Sequence, residues 1–264
     1  MTDLSVYPVK SLDIFDDSAD LDPRLPSICR NHGSNIILVG PTGSGKSSVI
    51  NNLLLNKNMW GRTQKYPRGR FDKVVIFSPS IHLDDTSRFL VDSFECHDTF
   101  DGKILEGLKQ SQLELEKEKR NKLCVVVDDS VGLDVLKTKS VYTYYNTRSR
   151  HLNCNLITSV QNYKACNVIM RNNSNCIIIM AGVYNVNELQ KLQDELGDIY
   201  RGTLLYCYKK YVKEKYTFLT LYPRRSPAEM YLNFDEQINY KQHQAEAKNW
   251  KIEDYESDED SDSD

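Results

Sequence analysis

The 264-residue sequence contains no apolar run that approaches the roughly 18 residues needed to cross a bilayer, so no membrane-spanning helix is expected. It opens Met1-Thr2-Asp3-Leu4-Ser5, without the basic start and apolar block of a secretory signal. Its seven cysteines (Cys29, Cys96, Cys124, Cys154, Cys166, Cys176 and Cys207) are scattered and odd in number, and none forms a Cys-x-x-Cys pair. Zinc sites and disulfide frameworks therefore do not fit, and a reducing, intracellular compartment does. There is no internal repeat. The Asn-Lys-x-Asp run that reads guanine is also missing, since Asn121-Lys122 is followed by Leu123-Cys124. Net charge is only −3, but it is unevenly spread. Residues 251–264 hold eight acids and one base, or −7, which leaves +4 on residues 1–250. A mildly basic body tolerates a nucleic-acid partner without requiring one.

Against these absences stands one dense motif, Gly40-Pro41-Thr42-Gly43-Ser44-Gly45-Lys46-Ser47. The apolar run Asn35–Val39 precedes it, and a stretch from Ser48 to Leu55 that can pack as a helix follows. Strand, Gly-rich loop and helix with this spacing form a P-loop. The glycines let backbone N–H groups close on a polyphosphate, and the helix adds its partial positive end. Residues Gly40 to Ser48 are thus the expected nucleotide contacts, with Lys46 between the β- and γ-phosphates and the Ser47 hydroxyl on Mg²⁺. A flexible Gly/Ser loop is the plain alternative, and the flanking elements argue against it. A nucleoside triphosphate and Mg²⁺ are the expected ligands.

Four further runs read as strands: Lys73–Pro79, stopped by its proline, Leu123–Asp129, ending in two carboxylates, Asn153–Gln161, with a polar exit, and Asn175–Ala181. Nearly continuous apolar strands alternating with helix-length segments indicate an α/β fold, a mostly parallel sheet covered by helices on both faces. Val186–Glu195 reads as a helix. Tyr216–Tyr222 and Glu229–Phe234 read as a C-terminal β-hairpin extension around Pro223-Arg224-Arg225-Ser226-Pro227. The expected organisation is an irregular arm over 1–30 and a P-loop domain over 31–240, with its core at 35–181 and an extension at 182–240. An acidic, disordered tail is expected over 241–264.

Ligands of parallel sheets gather outside the carboxyl ends of the strands. Asp128 and Asp129 stand at such an end. Asp128 suits Mg²⁺ through a bound water, and Asp129 is placed to orient and deprotonate an attacking water, the two needs of phosphoryl transfer. The plain alternative is a pair that caps a strand. Gln161, at another strand exit, can read the γ-phosphate or the water, or can be solvated. Arg148 and Arg150 lie in Thr147-Arg148-Ser149-Arg150-His151-Leu152-Asn153 and can be solvated or can reach a neighbouring subunit's phosphate. Asp129-Ser130-Val131-Gly132 fits the short Asp-x-x-Gly pattern of GTPases, so a P-loop GTPase stays open, as does a nucleoside kinase.

The succession Gly-Pro-Thr-Gly-Ser-Gly-Lys-Ser, Leu-Cys-Val-Val-Val-Asp-Asp-Ser-Val-Gly, Arg-His-Leu-Asn-Cys-Asn-Leu-Ile-Thr-Ser-Val-Gln and Arg-Asn-Asn-Ser-Asn-Cys-Ile-Ile-Ile-Met resembles the DNA-packaging ATPases of poxviruses, giant viruses and virophages, a branch of the FtsK/HerA superfamily. The resemblance covers residues 35 to about 181. It implies that Lys46 and Ser47 are the Walker A pair, Asp128 the magnesium aspartate, Asp129 the catalytic carboxylate and Gln161 a strand-end sensor. The arginine acting in trans falls on Arg150, with Arg148 as the alternative, and Arg171 matches a basic position before the last parallel strand. It further implies a ring, hexameric in the family, that threads double-stranded DNA into a preformed capsid inside the host cell, with a capsid or portal protein as partner. The basic loop 62–70 and residues 141–150 (Tyr142, Tyr144, Tyr145, Arg148, Arg150) are candidate DNA grips, although the tyrosines can equally be packing.

Overall fold

The expected strands all form, and they stack into one sheet because each is apolar on both faces. The structure, a computed structural model, describes residues 33–83, 87–129, 134–183 and 186–250. The arm expected over 1–30 lies outside the described residues, as do the acids of 251–264.

The first half of the chain runs β1 (Asn35–Val39), α1 (Lys46–Leu55), β2 (Lys73–Phe77), α2 (Arg88–Val91), β3 (Glu95–His97), α3 (Gly102–Glu114), β4 (Leu123–Val127) and α4 (Val141–Arg148). The second half runs β5 (Cys154–Val160), α5 (Val168–Asn173), β6 (Cys176–Met180), α6 (Val186–Leu196), α7 (Leu204–Tyr211), β7 (Phe218–Tyr222), β8 (Glu229–Leu232), β9 (Glu236–Gln237) and α8 (Gln244–Asn249). The strand order is β3-β2-β4-β5-β1-β6-β7-β8-β9. The first six in that order are parallel, and β7, β8 and β9 continue the sheet antiparallel. The extension is therefore the edge hairpin the sequence predicts, lengthened by one short strand.

Alternation along each strand feeds two separate cores. Ile36, Leu38, Ile76, Val126, Ile157 and Ile178 turn to the face covered by Val49, Ile50 and Leu53 of α1 and by Leu90 of α2. Ile37, Val39, Val125, Val127 and Ile179 turn to the other, against Leu105, Tyr142, Tyr145, Met170, Leu192 and Leu204 from α3 to α7. Every residue of β1, β4, β5 and β6 is buried, as expected of a sheet covered on both sides. Each fully buried aliphatic contributes about 1.5–3 kcal/mol.

Two expectations change. β3 is not foreshadowed, because Glu95-Cys96-His97 has no apolar run. It is held by pairing with β2, an ion pair from Lys73 to Glu95 at 2.9 Å and stacking of His97 on Phe77. The disorder expected over 241–264 also does not hold for residues 241–250. A 3₁₀ turn over Tyr240–His243 and then α8 are ordered onto α7, where the Tyr211 hydroxyl meets His243 Nε2 at 2.8 Å and the Lys209 ammonium lies 5.8 Å from the Trp250 ring centre. Aromatic packing outweighs the polar composition there.

Candidate active site

Parallel pairing brings the carboxyl ends of β2, β4, β5 and β1 to one edge of the sheet, and the loop after β1 crosses that edge. Gly45 caps α1 in the left-handed region (φ 95°), where a side chain would be strained, and Val49 N–H closes the first helical turn on Gly45 O at 3.0 Å. Gly40 is required by crowding: a Cβ there would fall 2.6 Å from Met180 Cβ. The first N–H groups of α1, at Lys46, Ser47 and Ser48, have no acceptor within the helix and point to the loop's open side, a ready anion site.

Lys46 is only 7% exposed. Its ammonium donates to Gly40 O at 2.7 Å and Pro41 O at 2.9 Å, so it stays folded onto the loop. Burial pulls its pKa below the ordinary lysine value, against the opposing charges of Asp129 and Asp128. A polyphosphate offers that ammonium a charged acceptor in place of two carbonyls.

Asp128 is 8% exposed, directly after the apolar β4. Burial pushes its carboxyl above the ordinary aspartate range; the nearby Ser159 hydroxyl, the Lys46 charge and a hydrogen bond from Ser78 act the other way. The Ser78 hydroxyl donates to Asp128 Oδ2 at 3.2 Å. Ser159 lies beside the carboxylate without reaching full hydrogen-bond geometry. Asp129 follows with φ 46°, a left-handed turn that throws its side chain away from the strand direction. There it accepts from Gln161 Nε2 at 3.0 Å, and the same nitrogen donates to Thr42 Oγ1 of the P-loop at 3.3 Å. Three separate strand exits are thus tied together by one amide.

The donor set fits Mg²⁺. Asp128 and Ser47 offer one carboxylate and one hydroxyl, hard oxygen donors of the kind that suit Mg²⁺, which is usually held by one or two carboxylates together with waters and substrate phosphates. Among the described residues no cluster of three or more His, Cys, Asp or Glu is present, so a cage built from protein alone is not available. The desolvated Asp128 gains most from a cation that favours its ionised form. Ser44 Oγ is buried within the loop against Gly40 and has no hydrogen-bond partner among the described residues.

No family profile and no curated protein sequence matches the chain. Solved structures do. The genome packaging NTPase B204 of Sulfolobus turreted icosahedral virus 2, in complex with AMP, has a TM-score of 0.53 at 16% identity, covering 76% of this chain and 97% of that one. The same NTPase in complex with ATP-gammaS gives 0.51 at 18% identity, over 76% and 98%. B204, the DNA-packaging ATPase from Sulfolobus turreted icosahedral virus, gives 0.53 at 14% identity, over 77% and 98%. The chain shares the fold of these proteins. At such identities the likeness fixes the architecture, and function has to be argued from the site.

In this fold Lys46 lies near Asp128 and Asp129, and Gln161 is bonded to Asp129, while Arg148 and Arg150 do not join them. Both arginines precede β5, and the Ser149 hydroxyl between them donates to Gly33 O, just before β1 begins. They sit at the amino edge of the sheet, roughly 17 Å from the P-loop along the five residues of β1. Arg148 stacks on Tyr144, 4.3 Å from the ring centre, and donates to Thr147 Oγ1; Arg150 is exposed. Tyr142 and Tyr145 are fully buried, with hydroxyls on Thr158 Oγ1 at 2.8 Å and Leu105 O at 2.7 Å, so they pack the core and do not face DNA. In the basic loop 62–70, Arg70 lies over Tyr66 at 4.0 Å. Arg171 is committed to Glu195, at 2.9 and 3.1 Å. Sequence reading missed Ser78. A polar residue ending an apolar strand is the only signal, and it becomes informative only once β2 is known to lie beside β4.

Proposed function

We propose that the chain is an ATP-driven translocase that moves double-stranded viral DNA into a preformed capsid, working as a homo-oligomeric ring, hexameric by the family resemblance, with ATP cleaved at the subunit borders. The observation that carries this reading is the Gln161 bridge from Thr42 of the phosphate loop to Asp129 beside the buried Asp128. It supports a site built for hydrolysis as well as binding. In this reading Gly40 to Ser48 hold the phosphates and Lys46 neutralises the transferred group. Ser47 and Asp128 would hold Mg²⁺, which would supply positive charge against the phosphates. Asp129 orients the attacking water and accepts its proton, and Gln161 fixes Asp129 against the loop. Arg150, or Arg148, serves the neighbouring subunit's phosphate, because neither lies at its own P-loop.

DNA would be gripped through its phosphates without sequence readout, and a capsid or portal protein would be the docking partner at the assembly site in the host cell. Among the described residues no helix is long and apolar enough to cross a membrane. The test is ATPase activity with and without double-stranded DNA, measured beside the native mass. A ring mass with DNA-stimulated hydrolysis is expected. A monomer that phosphorylates a nucleoside and ignores DNA would replace this reading with a kinase.

A further inference from the structure

The nucleotide site has two sides. Asp128, Asp129 and Gln161 follow β4 and β5, on one side of β1 in the sheet order, and β6 and β7 lie on the other. A triphosphate lying across the P-loop with its terminal phosphate toward the carboxylates must send its ribose and base over β6 and β7. The carboxyl end of β6 and the start of β7 meet at that same edge, since Met180 pairs with Phe218 in antiparallel register and Ala181 N–H donates to Thr217 O at 2.8 Å. The residue that stands there is Tyr216.

Three features of Tyr216 depart from an ordinary turn residue. It is 56% exposed although it is a large aromatic, and its backbone is left-handed at φ 70°, which glycine adopts readily and tyrosine does not. Its ring edge rests on the mouth of the phosphate loop: a Cβ on Gly45 would fall 2.9 Å from Tyr216 Cδ1. The Lys215 ammonium lies 4.9 Å from the ring centre, adding positive charge beside it. Two strand spacings separate β1 from β7, about 10 Å, which is within the reach of a ribose and base from an α-phosphate on α1.

We propose that Tyr216 is the stacking platform for the base of the bound nucleoside triphosphate. The proposal rests on the nucleotide-site reading above and adds the residue that distinguishes a nucleotide from a bare polyphosphate. An aromatic face holds a base without reading its hydrogen-bonding edge, so Tyr216 supplies affinity and orientation more than base choice.

The test is calorimetric binding of ATP and of inorganic tripolyphosphate, each with Mg²⁺, to the full chain carrying Tyr216→Ala, Tyr216→Phe or Lys46→Ala. Tyr216→Ala is expected to weaken ATP about tenfold and to leave tripolyphosphate unchanged. Tyr216→Phe should bind both as the unaltered chain does, and Lys46→Ala should weaken both. ATP binding unchanged in Tyr216→Ala overturns the platform while leaving the phosphate site intact. Equal loss of both ligands in Tyr216→Ala also overturns it, because the ring would then serve only to shape Gly45. If the unaltered chain binds neither ligand, the nucleotide-site reading itself fails and the platform falls with it.

Discussion

Gln161 Nε2 donates to Asp129 Oδ1 at 3.0 Å, across a sheet edge that separates the two residues by 32 positions in sequence. The same amide reaches Thr42, so any movement of the phosphate loop is felt at the carboxylate. Asp129→Asn removes the proton acceptor and keeps the size, so ATP binding should persist while turnover falls by roughly 10²–10⁴. Gln161→Ala leaves the carboxylate in place without its tether, and its loss should be smaller and confined to kcat. Single-turnover hydrolysis beside equilibrium ATP binding separates the two. Unchanged turnover in Asp129→Asn removes its catalytic assignment.

Much of this candidate site is legible in the sequence. The P-loop is contiguous, so Lys46 and Ser47 carry their context with them, and the adjacent aspartates follow one unbroken apolar strand. What the sequence could not supply was the order of the strands. Ser78 and Asp128 are neighbours only because β2 lies beside β4, and Tyr216 meets Gly45 only because β7 turns back along β6. The short β3 escaped for a different reason: its stability comes from a partner strand and an ion pair, which leave no periodic trace. The order of residues 241–250 follows from Tyr206, Tyr211 and His243 packing together, a tertiary effect that composition averages away.

The hard-oxygen pair Ser47 and Asp128 predicts a strict dependence on Mg²⁺. Chelation with EDTA should abolish hydrolysis and added Mg²⁺ should restore it. Ser47→Ala removes the hydroxyl that would hold the ion, so the Mg²⁺ concentration for half-maximal activity should rise several-fold while the fold is unaffected. Hydrolysis that continues in excess EDTA would count decisively against the assignment.

Glu195 offers a stability test independent of ATP. Burial alone would raise its pKa, but hydrogen bonds from Lys164 and Arg171 and their charges prevail and hold it below the ordinary glutamate range. A carboxyl whose native pKa is depressed stabilises the fold above its unfolded value, and that contribution is lost as pH falls through the native one. Glu195→Gln should therefore lower stability by roughly 1 kcal/mol near neutrality, since the group is partly solvated. The gap to the unaltered chain should close on acidification from the ordinary carboxylate range. Denaturant melts of both proteins across that range measure it; a gap independent of pH would mean that the ion pair is not its source.

The separation of Arg150 from its own P-loop makes the sharpest prediction about assembly. A trans-acting arginine is worth about 10³–10⁵ in kcat, so Arg150→Ala should be almost inactive alone, as should Asp129→Asn. Each variant keeps what the other lacks. In a randomly mixed ring at equal amounts, half the sites carry Asp129, and half of those face a neighbour that carries Arg150. About a quarter of the interfaces are then complete, so mixing should restore activity toward that fraction of the unaltered ring. Arg148→Ala serves as the control, because Arg148 is already engaged with Tyr144 and Thr147, and its loss should cost far less. If instead Arg150→Ala stays active and only Arg148→Ala is rescued by mixing, the trans role passes to Arg148. Absence of rescue for either arginine would mean that each subunit completes its own site, and the coupling of hydrolysis to motion between neighbours would lose its physical basis.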